Sequence, residues 1–145
     1  MEDMRRALLA EFGAQAIYRQ LAARVDQPEL KKLLEQLHID EAGQIARLSE
    51  VMRSLGETPK QRSQRRQMLA WSLVIASRLT GNRLVLRICL EAESTASRWY
   101  AQFHAYFSAL GERELAHTCG EMSLFKLRRA HALQPWLDQP RRASR

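Results

Sequence analysis

The chain has 145 residues and a mass of 16.8 kDa, enough for one domain with a hydrophobic core. Glycine and proline are scarce, at 6 and 4 residues, which favours helices over a β-sandwich or barrel. Two cysteines are too few for a disulfide scaffold, and the longest apolar run, 68–76, is too short to span a membrane. The net charge of +7 is concentrated in 57–87, which is either a solvated basic face or a contact for an acidic partner or an anionic membrane surface. Nucleic acid is the weakest of the candidate partners, because no binding motif accompanies the basic residues.

The first two predicted helices form a hairpin. Inward-facing positions recur every three or four residues along 2–25, which predicts one buried stripe of a helix. The stripe is broken just before Pro28, because the residue before a proline disfavours helix. Proline is tolerated at a helix start, so the second helix is expected over 28–55, with Gly56 as its terminator.

The second half of the chain predicts another hairpin after a long connection. A polar linker over 57–64 precedes a short predicted helix with a basic start and an apolar body. The third and fourth helices are expected over 83–110 and 112–137, with Gly111 between them, and 138–145 is expected to be a disordered basic tail of a domain formed by 1–137. These elements predict an all-α, ferritin-like four-helix bundle with a short extra helix in the helix 2–3 crossover.

Acidic residues interrupt the apolar stripes of this predicted bundle. Glu11 and Glu93 share one local pattern, each followed by alanine after three residues and tyrosine after seven. Glu41 and Glu121 are expected at matching heights on the second and fourth helices. Buried carboxylates are costly and repel one another, so four inward glutamates require protons or cations. Two divalent metals held between four facing helices would meet this requirement.

The pattern departs from that of known di-iron bundles at two positions. Those bundles combine a glutamate from each of two helices with a Glu-x-x-His motif from each of the other two. Gln44 and Leu124 stand where histidine is expected after Glu41 and Glu121. The amide oxygen of glutamine is a weaker iron ligand than imidazole, and leucine offers no ligand. The predicted metal-binding residues are Glu11, Glu41, Gln44, Glu93 and Glu121.

Two histidines precede the glutamates of the second and fourth helices. His38 lies three residues before Glu41, and His117 lies four residues before Glu121. They are either displaced metal ligands or hydrogen-bond partners and surface residues, and the second interpretation is favoured.

The alternative to a metal site is that the glutamates face solvent or pair with basic side chains. The candidates for pairing are Arg98, Lys126 and Arg128. In either case Tyr18 and Tyr100 are expected in the core, where their hydroxyls would bond the nearby carboxylates. Without metal, burial and mutual repulsion are expected to raise the pKa values of the glutamates.

Residues 11–18, Glu-Phe-Gly-Ala-Gln-Ala-Ile-Tyr, resemble the segment that opens the first helix of the demethoxyubiquinone hydroxylases. These are di-iron monooxygenases of ubiquinone biosynthesis within the ferritin-like superfamily. Residues 79–81, 89–94 and 99–102 are similar to the sequence around the third-helix glutamate of that family. The resemblance extends over 8–129.

The resemblance implies a pair of iron ions and a quinone-like hydrophobic substrate. By position, Glu11 and Glu93 would be terminal ligands, while Glu41 and Glu121 would bridge the metals. It also implies that 65–79 associates with an anionic membrane surface, which suits a basic, apolar helix.

Three hypotheses follow from the altered ligand set. The first is a hydroxylase-type oxidoreductase with changed ligation, and the second is a ferritin-like protein that binds metal without oxygenase chemistry. The third is a metal-free bundle that acts as a binding or scaffold protein, with a homodimer formed through exposed helix faces. The expected location is the cytoplasm, with peripheral contact to the inner membrane.

Overall fold

The computed structural model describes residues 1–59 and 81–138, and the regular structure in these residues is helical throughout. The helices lie within a few residues of the predicted positions, which confirms the all-α bundle. The extra helix predicted in the crossover, its membrane contact and the basic tail beyond Asp138 lie outside the described residues. The helices are α1 (Glu2–Ala22), α2 (Pro28–Ser54), α3 (Asn82–Ala109) and α4 (Arg113–Asp138).

The helix ends follow the signals in the sequence. Pro28 opens α2, where its missing N–H removes no helical hydrogen bond. Gly56 and Gly111 adopt positive φ angles of 79° and 77° after α2 and α3. The next residue along then bonds back into the last turn, with Glu57 N donating to Met52 O over 3.0 Å. Glycine takes up this left-handed conformation without a Cβ penalty, so both predicted terminators are confirmed.

The four helices form two hairpins. α1 packs along α2, and α3 packs along α4, while the hairpins meet through α1 with α3 and α2 with α4. The start of α1, the end of α2, the end of α3 and the start of α4 contribute to one apolar cluster. The end of α2 and the start of α3 therefore lie at opposite ends of the bundle, which makes their connection the crossover. Within the described ranges, no helix is sufficiently long and apolar to span a membrane.

The core consists of two apolar halves separated by a charged layer. One half contains Leu8, Leu48 and Met122, and the other contains residues such as Leu37 and Leu133. On every helix a buried ionisable residue lies between the two halves in sequence. Buried charges at this depth must be paired or protonated, so this layer is the first place to look for function. Its ionisable members are Glu11 on α1, Glu41 on α2, Glu93 on α3, and Lys126 and Arg129 on α4.

Candidate functional site

Three of the four predicted glutamates meet in the middle of the bundle. Glu11, Glu41 and Glu93 are 2 %, 0 % and 2 % exposed, and each comes from a different helix. The fourth helix contributes two cations, Lys126 and Arg129, which are 1 % and 4 % exposed. We call these five residues the ion cluster.

Lys126 is the hub of the ion cluster. Its Nζ donates hydrogen bonds to Glu11 Oε2 and to both carboxylate oxygens of Glu41, the latter at 2.9 and 3.1 Å. Nζ also lies 3.5 Å from Glu93 Oε2. One ammonium group thus contacts carboxylates from three helices, at the place where the sequence predicted two metal ions. Pairing of the glutamates with Lys126, the alternative drawn from the sequence, is confirmed.

Arg129 neutralises the other side of the same carboxylates. Its Nη2 lies 2.8 Å from Glu41 Oε1 and 3.2 Å from Glu93 Oε1, and it donates to the backbone oxygen of Leu37 over 3.1 Å. The guanidinium also stacks over aromatic faces, 5.4 Å from the Tyr18 ring centre and 5.7 Å from that of Phe125. These contacts compensate for much of the cost of removing a guanidinium from water.

Two buried tyrosines hold the carboxylates from opposite hairpins. The hydroxyl of Tyr18 on α1 donates to Glu93 Oε1 on α3, and the hydroxyl of Tyr100 on α3 donates to Glu11 Oε1 over 2.5 Å. The expected tyrosine–carboxylate bonds are therefore confirmed. Because the two bonds are reciprocal, each hairpin contributes one tyrosine and accepts one from the other.

The ion cluster shifts the pKa values of Glu11 and Glu41 in opposite directions. Burial, and next the negative charge of Glu11, raise the pKa of Glu41 well above its usual range. Burial also acts to raise the pKa of Glu11, but the Lys126 ammonium and several hydrogen bonds outweigh it and lower that pKa. Three carboxyl groups thus face two cations, and Glu41 is the one whose charged form is disfavoured by its surroundings. The expected rise in glutamate pKa is thus found for Glu41 and is wrong for Glu11.

Glu121 lies outside the ion cluster, so its predicted inward orientation is wrong. Its side chain is 55 % exposed, and its carboxylate is 3.7 Å from His117 Nε2, which is itself on the surface. Leu124 is also exposed, at 59 %. His38 is half-buried, and its Nδ1 pairs with the backbone oxygen of Gln15 at 2.9 Å. Neither histidine takes the place of a missing ligand in these contacts.

An internal correspondence identifies the residues that replace the expected fourth-helix ligands. Glu11 and Glu93 lie 82 positions apart, as do Tyr18 and Tyr100. With the same offset of 82, Ser123 corresponds to Glu41 and Lys126 corresponds to Gln44. Five buried residues of α2 correspond in this way to five buried residues of α4. In order, Leu34, Leu37, Gln44, Leu48 and Val51 correspond to Ala116, Cys119, Lys126, Ala130 and Leu133.

The second hairpin therefore has Ser-x-x-Lys where the first has Glu-x-x-Gln. Ser123 Oγ donates to the backbone oxygen of Ser97 over 2.8 Å, and Ser97 Oγ donates to the backbone oxygen of Ser123 over 2.9 Å. This pair fixes α3 against α4 one turn before Lys126, so the lysine enters the core at a defined height.

The residues of the ion cluster do not fit a pair of iron ions. Between the three carboxylates lie an ammonium and a guanidinium, which repel metal cations and offer no lone pair for coordination while protonated. Burial alone would lower the pKa of Lys126, but the three carboxylates raise it, which keeps its charge. In the native protein, with Lys126 and Arg129 among the carboxylates, no group of three or more histidine, cysteine or acidic side chains in 1–59 and 81–138 could hold a metal ion.

Comparison with known proteins shows the fold. A crystal structure described as ferritin-like, diiron-carboxylate proteins from Bacillus anthracis str. Ames matches this chain with a TM-score of 0.76. The match covers 94 % of each chain at 20 % sequence identity. The chain therefore has the ferritin-like fold. No protein-family model and no curated protein sequence matches the chain.

Proposed function

We propose that this ferritin-like chain is a non-catalytic binding protein, in which the ion cluster replaces the metal centre. The observation that carries the proposal is the contact of Lys126 Nζ with Glu11, Glu41 and Glu93. The carboxylates of a di-metal site are compensated here by side chains of the protein, so the bundle needs no metal to bury them.

The competing proposal is a di-iron hydroxylase that acts on a quinone. It would require Lys126 to lose its proton or leave the core, and Arg129 to leave Glu41 and Glu93. The contacts that hold these two cations therefore favour the metal-independent protein. The similarity to the solved diiron-carboxylate protein supports a shared fold and does not favour either proposal.

A groove at one end of the bundle is the candidate binding surface. It measures about 900 Å³ and is formed by the ends of α1, α2, α3 and α4. Its apolar lining includes Phe103, Tyr106, Phe107, Leu110 and Leu115, and none of the ion-cluster residues lines it. Tyr106 and Leu110 are 61 % and 58 % exposed. This lining supports a hydrophobic small molecule, such as a quinone, as the ligand. Membrane contact through 65–79 and a homodimer remain predictions.

Metal titration tests the metal-independent part of the proposal. The protein is purified without chelator and titrated without oxygen with Fe²⁺ and Mn²⁺, with calorimetry and thermal unfolding as readouts. We expect no stoichiometric binding and an unchanged melting temperature. The variant His117→Ala serves as a control, because it removes the imidazole of the exposed His117–Glu121 pair and with it a source of adventitious surface binding. Two equivalents of iron, lost in Glu11→Gln and followed by oxygen uptake, would overturn the proposal.

Ligand binding tests the groove. Decylubiquinone is titrated against the wild type, Leu110→Lys and Ile39→Lys, with quenching of tryptophan fluorescence as the readout. Ile39 is a matched control because it is 62 % exposed and does not line the groove. Burying a leucine side chain contributes about 1.5–3 kcal/mol, so Leu110→Lys should weaken binding at least about tenfold. Equal weakening by both variants, or no binding by the wild type, would contradict a quinone site in the groove.

A further inference from the structure

We infer that Glu11, Glu41 and Glu93 form a latent divalent-cation cage that the Lys126 ammonium group fills in the native protein. This inference rests on the proposed metal-independent function. It assigns to Lys126 the role of a built-in cation, beyond that of an ordinary ion-pair partner. Removal of its side chain alone should then turn the cage into a site for one metal ion.

The cage is held in place largely without Lys126. Tyr100 fixes one oxygen of Glu11, and Tyr18 and Arg129 fix Glu93 Oε1. These groups approach Oε1 of both glutamates, whereas Lys126 approaches Oε2 of both. The oxygens aimed at Nζ therefore keep their positions when the lysine is shortened.

The space vacated by Lys126 would be polar and negatively charged. A cavity lined by carboxylates takes up water or cations, unlike an apolar cavity, which stays dry. Arg129 remains beside Glu41 and Glu93 and leaves room for only one further cation. The expected stoichiometry is therefore one metal ion per chain.

The available donors are oxygens, which selects the class of metal. Gln44 is 3 % exposed, and its Oε1 has no hydrogen-bond partner within the described part of the chain. It lies three residues after Glu41 and therefore on the same face of α2. Carboxylate and amide oxygens suit Mn²⁺, Mg²⁺ and Ca²⁺ better than metals that prefer nitrogen or sulfur.

The experiment titrates Mn²⁺ into the wild type, Lys126→Ala, Lys32→Ala and the double variant Lys126→Ala/Glu93→Gln. Calorimetry and the electron paramagnetic resonance of free Mn²⁺ give the stoichiometry. Lys126→Ala should bind one Mn²⁺, with a melting temperature raised by roughly 5 °C or more. The wild type and Lys32→Ala, whose substituted lysine is exposed, should bind none. The double variant should lose the site again.

Failure of the inference is distinguishable from failure of the proposed function. A folded Lys126→Ala that binds no Mn²⁺ overturns the latent cage and leaves the metal-independent function intact. Stoichiometric, Glu93-dependent binding by the wild type overturns the proposed function. If Lys126→Ala is unfolded without metal, circular dichroism with and without Mn²⁺ gives the answer, together with the second variant Lys126→Ser. Recovery of helix on adding Mn²⁺ supports the cage, and its absence in both variants refutes it.

Discussion

Replacement of Lys126 by methionine removes one charge from the ion cluster and keeps the length of an unbranched side chain. In the wild type, Lys126 and Arg129 are the two cations that contact the carboxyl groups of Glu11, Glu41 and Glu93. Lys126→Met leaves a buried carboxylate without its cation. Breaking a buried pair in this way costs about 3–5 kcal/mol, which corresponds to a fall of roughly 10–20 °C in melting temperature for a chain of this size.

Urea unfolding followed by circular dichroism measures this loss, with Lys32→Met as the matched control. Lys32 is exposed, so its replacement should change the free energy of unfolding by at most about 0.5 kcal/mol. The double variant Lys126→Met/Glu11→Gln should recover part of the loss, because it also removes the unpaired carboxylate. A coupling energy of about 0.5–3 kcal/mol is expected for groups in direct contact. If Lys126→Met is as stable as Lys32→Met, the reasoning about buried charge is refuted.

Two further predictions concern groups packed around the ion cluster. Tyr18→Phe and Tyr100→Phe should each lower the free energy of unfolding by about 1–3 kcal/mol, because a buried carboxylate loses its donor, while the exposed Tyr106→Phe should have little effect. Equal effects of all three substitutions would contradict the hydrogen bonds. Burial raises the pKa of Cys89 to about 12 and that of Cys119 to about 11. Both thiols should resist iodoacetamide at neutral pH in the folded protein and react in urea, and rapid labelling of the folded chain would disprove their protonated state.

Much of the fold could be predicted from the sequence because the local signals agree with one another. The inward positions recur at helical spacing, Pro28 marks a helix start, and Gly56 and Gly111 end helices with positive φ angles. The pairing of Glu11 with Glu93 was also readable, since each stands in the same pattern seven residues before a tyrosine. These are local features, and packing preserves them.

The cations of the ion cluster were harder to predict, because lysine and arginine are usually exposed. The spacing of the inward-facing residues along α4 nevertheless indicates that both cations are buried. Cys119, Met122, Lys126, Arg129 and Leu133 follow one another at spacings of three and four residues, and all five are buried. Phe125, the residue before Lys126, is only half-buried.

The same spacing excludes Glu121 from the core. A residue next to Met122 points about 100° away from it on a helix, so Glu121 reaches solvent. The expectation of a fourth inward glutamate came from the matching height of Glu121 on the fourth helix, and height along a helix does not fix which face a residue occupies. The 82-residue offset between the hairpins would have identified Ser123 and Lys126 as the positions to examine.

An anomalous diffraction experiment tests the central claim most directly. Crystals of the wild type grown with excess Mn²⁺ are measured near the manganese absorption edge, and the anomalous map is inspected between Glu11, Glu41 and Glu93. We predict continuous electron density for Lys126 that ends among the three carboxylates, with no anomalous peak there. An anomalous peak between these carboxylates, with Lys126 turned away from them, would contradict the account.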